Sequence, residues 1–189
     1  FPIPEHKLYP PEELREIKTQ SSNGLFKKFD FIAFDYYYRF GNLQQLLNAA
    51  KPWMIDMYPE GLYKALIKYQ KDYNKPIFIA ENGVGTYNQE PRSDGWSRSA
   101  VIVQHIHEMQ KAMRDGANVI GYSHWSIMDN YEWGNFNARF GLYRVEALTD
   151  PTLKRIPTEA VDVYKSVIAN QGVDDTLLKR HPNPSKMST

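Results

Sequence analysis

The residue with the sharpest chemical implication is Glu81, a carboxylate set directly behind the apolar run Ile77-Phe78-Ile79-Ala80 and ahead of Asn82-Gly83. A charge at the end of such a run loses hydration unless hydrogen bonds or a cation compensate. The position therefore reads either as a turn acid or as a group kept for a reaction. A second constellation follows later in the chain, with Trp125 and Trp133 flanking Glu132. Indole faces stack on the apolar C–H faces of sugar rings, and carboxylates accept hydrogen bonds from sugar hydroxyls. Carbohydrate is thus the leading ligand class, against the plainer readings of core tryptophans and a loop acid. On spacing alone, Glu81 and Glu132 present themselves as a tempting pair for acid–nucleophile work.

Other chemistries find little support. The five histidines, His6, His105, His107, His124 and His181, include no i,i+4 pair with an accompanying acid, so no metal site is expected. Cysteine is absent, which removes disulfides, thiolate metal ligands and thiol nucleophiles. No Gly-x-Ser-x-Gly elbow and no glycine-rich phosphate cradle occur, and no cofactor is expected. With 23 Lys+Arg against 22 Asp+Glu the formal net charge is +1. There is no basic stripe for nucleic acid and no polybasic membrane anchor. No apolar run approaches the ~20 residues of a membrane-spanning helix. Phe1-Pro2-Ile3-Pro4-Glu5 lacks a signal-peptide pattern, so a cytoplasmic setting is expected. A start without Met fits a processed or partial product.

The elements that must carry these groups follow a βα rhythm. Strands are expected over Phe29 to Tyr37, Pro76 to Ala80 and Val119 to Trp125. The second is a continuous apolar run, as in a parallel sheet covered on both faces. Between them, a Gly41-Asn42 break precedes a helical stretch from Leu43 to Ala50. A helix starting at Pro59 carries Leu62, Ala65, Leu66 and Tyr69 on one stripe. Val101, His105, Met109 and Ala112 keep helical spacing up to Asp115-Gly116, and a last helix spans roughly Thr158 to Ala169. Residues 174–189 are expected as a polar surface tail. Hydrophobic residues at 42 % and aromatics at 14 %, including 13 Tyr, suffice for one sizeable core. In parallel βα architectures functional groups gather at the carboxyl ends of the strands. Those ends here are Asp35-Tyr36-Tyr37, Glu81-Asn82 and His124-Trp125. Three such strands cannot close a barrel of eight, which typically needs ~250 residues.

The order of motifs resembles the carboxyl-terminal part of the family 1 glycoside hydrolases, the β-glucosidase and β-galactosidase group. Phe78-Ile79-Ala80-Glu81-Asn82-Gly83 resembles that family's nucleophile motif. Gly121-Tyr122-Ser123-His124-Trp125-Ser126-Ile127-Met128-Asp129-Asn130-Tyr131-Glu132-Trp133 resembles its sugar-binding signature, with Arg139-Phe140-Gly141-Leu142 following. Asp94, Arg98 and His105 fall at similar spacing between the two. The likeness covers roughly residues 24–168 and is most archaeal in its His124-Trp125 wording.

The resemblance implies an α/β fold, the carboxyl-terminal portion of a (β/α)8 TIM barrel comprising about strands six to eight with their helices. The whole chain, 1–189, would form one such segment. It implies a retaining β-glycosidase with Glu81 as nucleophile and Tyr37 orienting it. Trp125 becomes the stacking floor, Glu132 and Trp133 contact outer hydroxyls, and Phe136 lines the pocket. Glu132 thereby becomes a recognition residue rather than a proton donor. The family's Asn-Glu-Pro acid/base motif is absent, so this chain alone is expected to be inactive, with a complementary N-terminal barrel part or second chain as partner. Asp35 stands where the family has Asn, and the loop Gly134-Asn135-Phe136-Asn137 is one residue short of the family pattern. The rival expectation is a non-catalytic, carbohydrate-binding or self-assembling half barrel.

Overall fold

A computed structural model describes residues 29–40, 42–47 and 51–186. The Gly41 break, the end of the helix expected to reach Ala50, the first 28 residues and the last three of the tail lie outside the described residues. In chain order the strands are β1 (Ile32–Asp35), β2 (Ile77–Asn82), β3 (Thr86–Tyr87), β4 (Val119–His124), β5 (Ala138–Arg139), β6 (Tyr143–Arg144) and β7 (Ile156–Pro157). The α-helices are α1 (Leu43–Leu47), α2 (Pro59–Tyr73), α3 (Arg98–Arg114), α4 (Ala160–Ala169) and α5 (Asp175–Arg180).

The three expected strands form one parallel sheet in the order β1-β2-β4. Alternation decides which side chains meet the helices. Ile77 and Ile79 of β2 are fully buried against Leu62 and Leu66 of α2 and Ala112 of α3. Burying each of these aliphatic side chains stabilises the fold by about 2 kcal/mol. The opposite face is a different surface. Ala33, Phe78 and Gly121 stand in register across the three strands, and a Cβ on Gly121 would run into the Phe78 ring. Ala33 is exposed, and the neighbouring Phe31 and Ile120 are 49 % and 57 % exposed. The helices thus cover one face of the sheet. Among the described residues, β1 and β4 each pair with β2 alone within this sheet.

Helix boundaries follow local chemistry. Pro59 starts α2 with Glu60 in its first turn, and Asn74 ends it in the left-handed region at φ 48°. Helix α3 begins three residues earlier than the apolar spacing predicts, because the Ser97 side chain accepts a hydrogen bond from the Ala100 N–H. Strand β2 runs two residues past Ala80, since Glu81 and Asn82 continue the ladder opposite Asp35 and His124.

The segment expected as a surface tail differs most from its reading. Asp174 caps α5 by accepting from the Leu177 N–H, and Leu177 is 4 % exposed in the cluster of Ile102, Ile106, Val161 and Val167. Gln104 donates to the His181 carbonyl oxygen at 2.8 Å, and Lys186 pairs with Glu60 at 2.7 Å. Residues 174–186 are therefore docked on α2 and α3. Leu177 and the partly buried Leu178, adjacent among polar neighbours, left no periodic signal for this. No helix among the described residues is long and apolar enough to cross a membrane.

Candidate active site

The exits of the three central strands lie side by side, because the parallel register sets Asp35 against Glu81 and Asn82 against His124. Tyr37 leaves β1 with its hydroxyl donating to Glu81 Oε2 at 2.8 Å. Burial, and then the adjacent Glu81 carboxylate, push this phenol well above its ordinary range, so it remains a donor at every working pH. Asp35 contributes in the same direction and is itself exposed. Asn82 fastens the strands together: its amide donates to the Tyr36 carbonyl oxygen at 2.6 Å, and Tyr122 donates to its Oδ1 at 2.7 Å. Gly83 is buried, and a Cβ there would strike the Trp125 carbonyl oxygen. Glycine is what lets the exits of β2 and β4 pass so closely.

Beyond β4, Trp125 Nε1–H donates to Glu132 Oε1 at 2.8 Å, and the Asn130 amide donates to the same oxygen at 2.6 Å. Trp133 is 56 % exposed with φ 44°. The structure thus brings Tyr37 together with Glu81, and Trp125 together with Glu132. The Phe136 ring stands edge-on to Tyr131, with centroids 5.2 Å apart. The Trp125–Ser126 peptide bond is cis.

Several supporting residues enter the sequence only as members of a motif or spacing, without a role. Phe140, fully buried, has Tyr37 and Trp133 edge-on to it at 6.0 and 6.2 Å, so one ring bridges the two halves of the site. Asp129 is a buried anchor. Its Oδ1 accepts from the Gly141 N–H at 2.9 Å, and its Oδ2 accepts from the Val145 N–H, Gln89 and Arg139 at 3.2–3.4 Å. Arg92 does similar service on the other side, donating to the carbonyl oxygens of Pro52, Gly85 and Ile55 while pairing with Asp94. Two histidines accompany the strand exits, His105 fully buried and His124 half-buried. His105 Nδ1–H donates to the Val101 carbonyl oxygen at 2.8 Å, and burial lowers its pKa to about 4. His124 is lowered to about 3 by burial, then by Arg98 and His105. Arg98 donates to the Arg139 carbonyl oxygen at 2.9 Å.

The class of protein is thus a parallel βα segment with a tyrosine-held carboxylate at a strand end and a tryptophan-backed one in the loop beyond β4. Residues 41–173 match glycosyl hydrolase family 1, and the chain belongs to that family. It is 35 % identical over 123 residues to a beta-galactosidase of Sulfolobus acidocaldarius, a match covering 65 % of this chain and 23 % of that protein. Among solved structures it resembles the beta-glycosidase from Pyrococcus horikoshii, with TM-score 0.64 and 35 % identity over 80 % of this chain and 37 % of that one. It also resembles a family 1 b-glucosidase from Thermotoga maritima, with TM-score 0.64 and 30 % identity over 78 % of this chain and 36 % of that one. The α/β fold agrees with these glycosidases. The chain spans well under half the length of the relatives it matches.

Proposed function

We propose that this chain supplies about strands six to eight of a (β/α)8 barrel, and with them the nucleophile and much of the sugar site of a retaining β-glycosidase. The observation that carries the reading is the 2.8 Å hydrogen bond from Tyr37 to Glu81 at the shared strand exit. A single donor on Oε2 orients the carboxylate and leaves Oε1 to attack an anomeric carbon. In the retaining mechanism a second carboxyl group, about 5 Å away, protonates the departing oxygen and then deprotonates the water that releases the sugar. Glu132 is assigned to recognition rather than to that task, because Trp125 and Asn130 both donate to its Oε1 and hold it as an acceptor. The proton donor therefore comes from a complementary N-terminal part. Trp125 provides the stacking floor, Glu132 and Trp133 address the outer hydroxyls, and Phe136 closes the rim through Tyr131. The substrate is an unmodified β-linked hexoside, since the Glu132-Trp133 loop offers no phosphate clamp. The setting is cytoplasmic.

The uncovered face and the two outer edges of the sheet suit docking of the missing strands, and the chain alone is inactive. In the complex with its N-terminal complement, Glu81→Gln abolishes turnover of aryl β-glycosides. Near-native kcat in that variant removes Glu81 from the nucleophile role. A second reading, a non-catalytic half barrel that pairs with its own copy, draws on the same open edges and on Asp35. It requires sugar binding lost in Trp125→Ala, no hydrolysis with any complement, and a native mass that is an even multiple of the chain.

A further inference from the structure

The geometry points to Asn130 as a positioning residue for Glu132, one that decides which carboxylate oxygen meets the sugar. This rests on the reading of Glu132 as a sugar-recognition group. The Asn130 amide is set between two neighbours. Its Nδ2 donates to Glu132 Oε1 at 2.6 Å, and its Oδ1 lies 3.2 Å from Ser126 Oγ, whose proton also has the Met128 carbonyl oxygen within reach at 2.7 Å. The preceding residue is immobilised by the contacts of Asp129 with Gly141, Val145 and Arg139, so the backbone presenting Asn130 has little freedom. Glu132 Oε1 therefore receives two donors, the Trp125 indole and the Asn130 amide, from neighbours that fix its direction. Oε2 has no hydrogen-bond partner among the described residues and is left for a ligand hydroxyl.

A carboxylate with one oxygen saturated this way loses its freedom to rotate about its terminal bond. Hydrogen bonds to charged acceptors are strong and directional, and two of them on one atom select one orientation. A sugar hydroxyl then meets an acceptor already aimed. Epimers that differ in the direction of an outer hydroxyl, as glucosides and galactosides do, are distinguished by that fixed direction. Without Asn130, the carboxylate turns about its link to Trp125, and both aim and discrimination weaken.

The test uses Asn130→Ala and the isosteric Asn130→Asp, with two readouts. In the chain alone, the Trp125 indole N–H resonance, assigned with Trp125→Phe, moves in both variants because its acceptor is no longer held. In the complex with the N-terminal complement, KM for 4-nitrophenyl β-glucoside rises about tenfold, the loss expected for one hydrogen bond to a charged group. There kcat stays within about twofold, and the glucoside-to-galactoside ratio of kcat/KM changes. Unchanged KM and selectivity overturn the proposal. So does a fall in kcat at constant KM, which would put Asn130 in the chemical step. Wild-type behaviour of Asn130→Asp, which keeps the volume and loses the donor, reduces Asn130 to a filler and overturns it too. If the wild-type complex hydrolyses no glycoside, the activity reading fails separately. The indole resonance then decides for Asn130: displacement supports the hold on Glu132, and an unmoved signal overturns it.

Discussion

Acid should weaken this fold earlier than its carboxylates alone would require, and the cause is the pair His105 and His124. His105 is fully buried and His124 half-buried with its ring nitrogens enclosed, and His105 Nε2 and the two ring nitrogens of His124 have no hydrogen-bond partner among the described residues. The groups facing them are Arg98 from α3, Glu60 from α2 at His105, and the Tyr36 and Tyr164 rings at 5.8 Å. Burial dominates, and the folded pKa values fall to about 4 and about 3 against about 6.5 for an unfolded histidine. Above pH 6.5 both states hold neutral rings and no stability depends on them. Below it, the unfolded chain takes up protons that the folded chain refuses. Stability then falls with decreasing pH by about 1.4 kcal/mol per unit for each ring, the loss ending only near the folded values. Between pH 6.5 and 4.5 the two together remove on the order of 5 kcal/mol, comparable with the whole stability of an ordinary domain. Urea titrations followed by tryptophan fluorescence at pH 8, 7, 6 and 5 measure this directly. The midpoint should be flat between pH 8 and 7 and should drop between 6 and 5, and His124→Asn should roughly halve that drop. A wild-type midpoint flat from pH 7 to 5, or a slope unchanged in His124→Asn, would refute the reasoning.

Two further perturbations address the site and the C-terminal segment. Tyr37→Phe removes the hydroxyl that holds Glu81 Oε2 at 2.8 Å. In the completed barrel kcat should fall about 10- to 100-fold, as for a lost hydrogen bond to a charged group, with KM little altered; steady-state kinetics showing wild-type kcat would discard the orienting role. Leu177→Ala opens a cavity in the cluster of Ile102, Ile106 and Val161 and should cost about 2–4 kcal/mol. An unshifted thermal midpoint would restore the surface-tail reading.

The strand exits were legible because their signals are local: an apolar run that ends in an acid, and aromatic residues placed just past predicted strands. The end of β2 was not, since Glu81 and Asn82 are extended by pairing with residues some 40 positions away, including the Asn82 bonds to Tyr36 and Tyr122. Trp125 and Glu132 were singled out from the motif, yet the bond between them depends on the turn that Asp129 anchors to Gly141 and Val145. No spacing rule encodes that turn. Phe140 was visible only as a letter in a motif, because its bridging of Tyr37 and Trp133 joins three separate loops. Helix α5 was hidden by brevity, its place being set by two adjacent leucines and a cap rather than by an amphipathic stripe.

The row of Ala33, Phe78 and Gly121 across the uncovered sheet face has a consequence for how this sequence can change. One aromatic ring fills the space above the neighbouring strand that a side chain at Gly121 would otherwise occupy. The two positions share a single volume, so neither can be altered independently. A methyl group at 121 is admissible only where the ring at 78 shifts aside or is replaced by a smaller side chain. Substitutions here should travel in pairs, with the size gained on one strand matched by the size surrendered on the next.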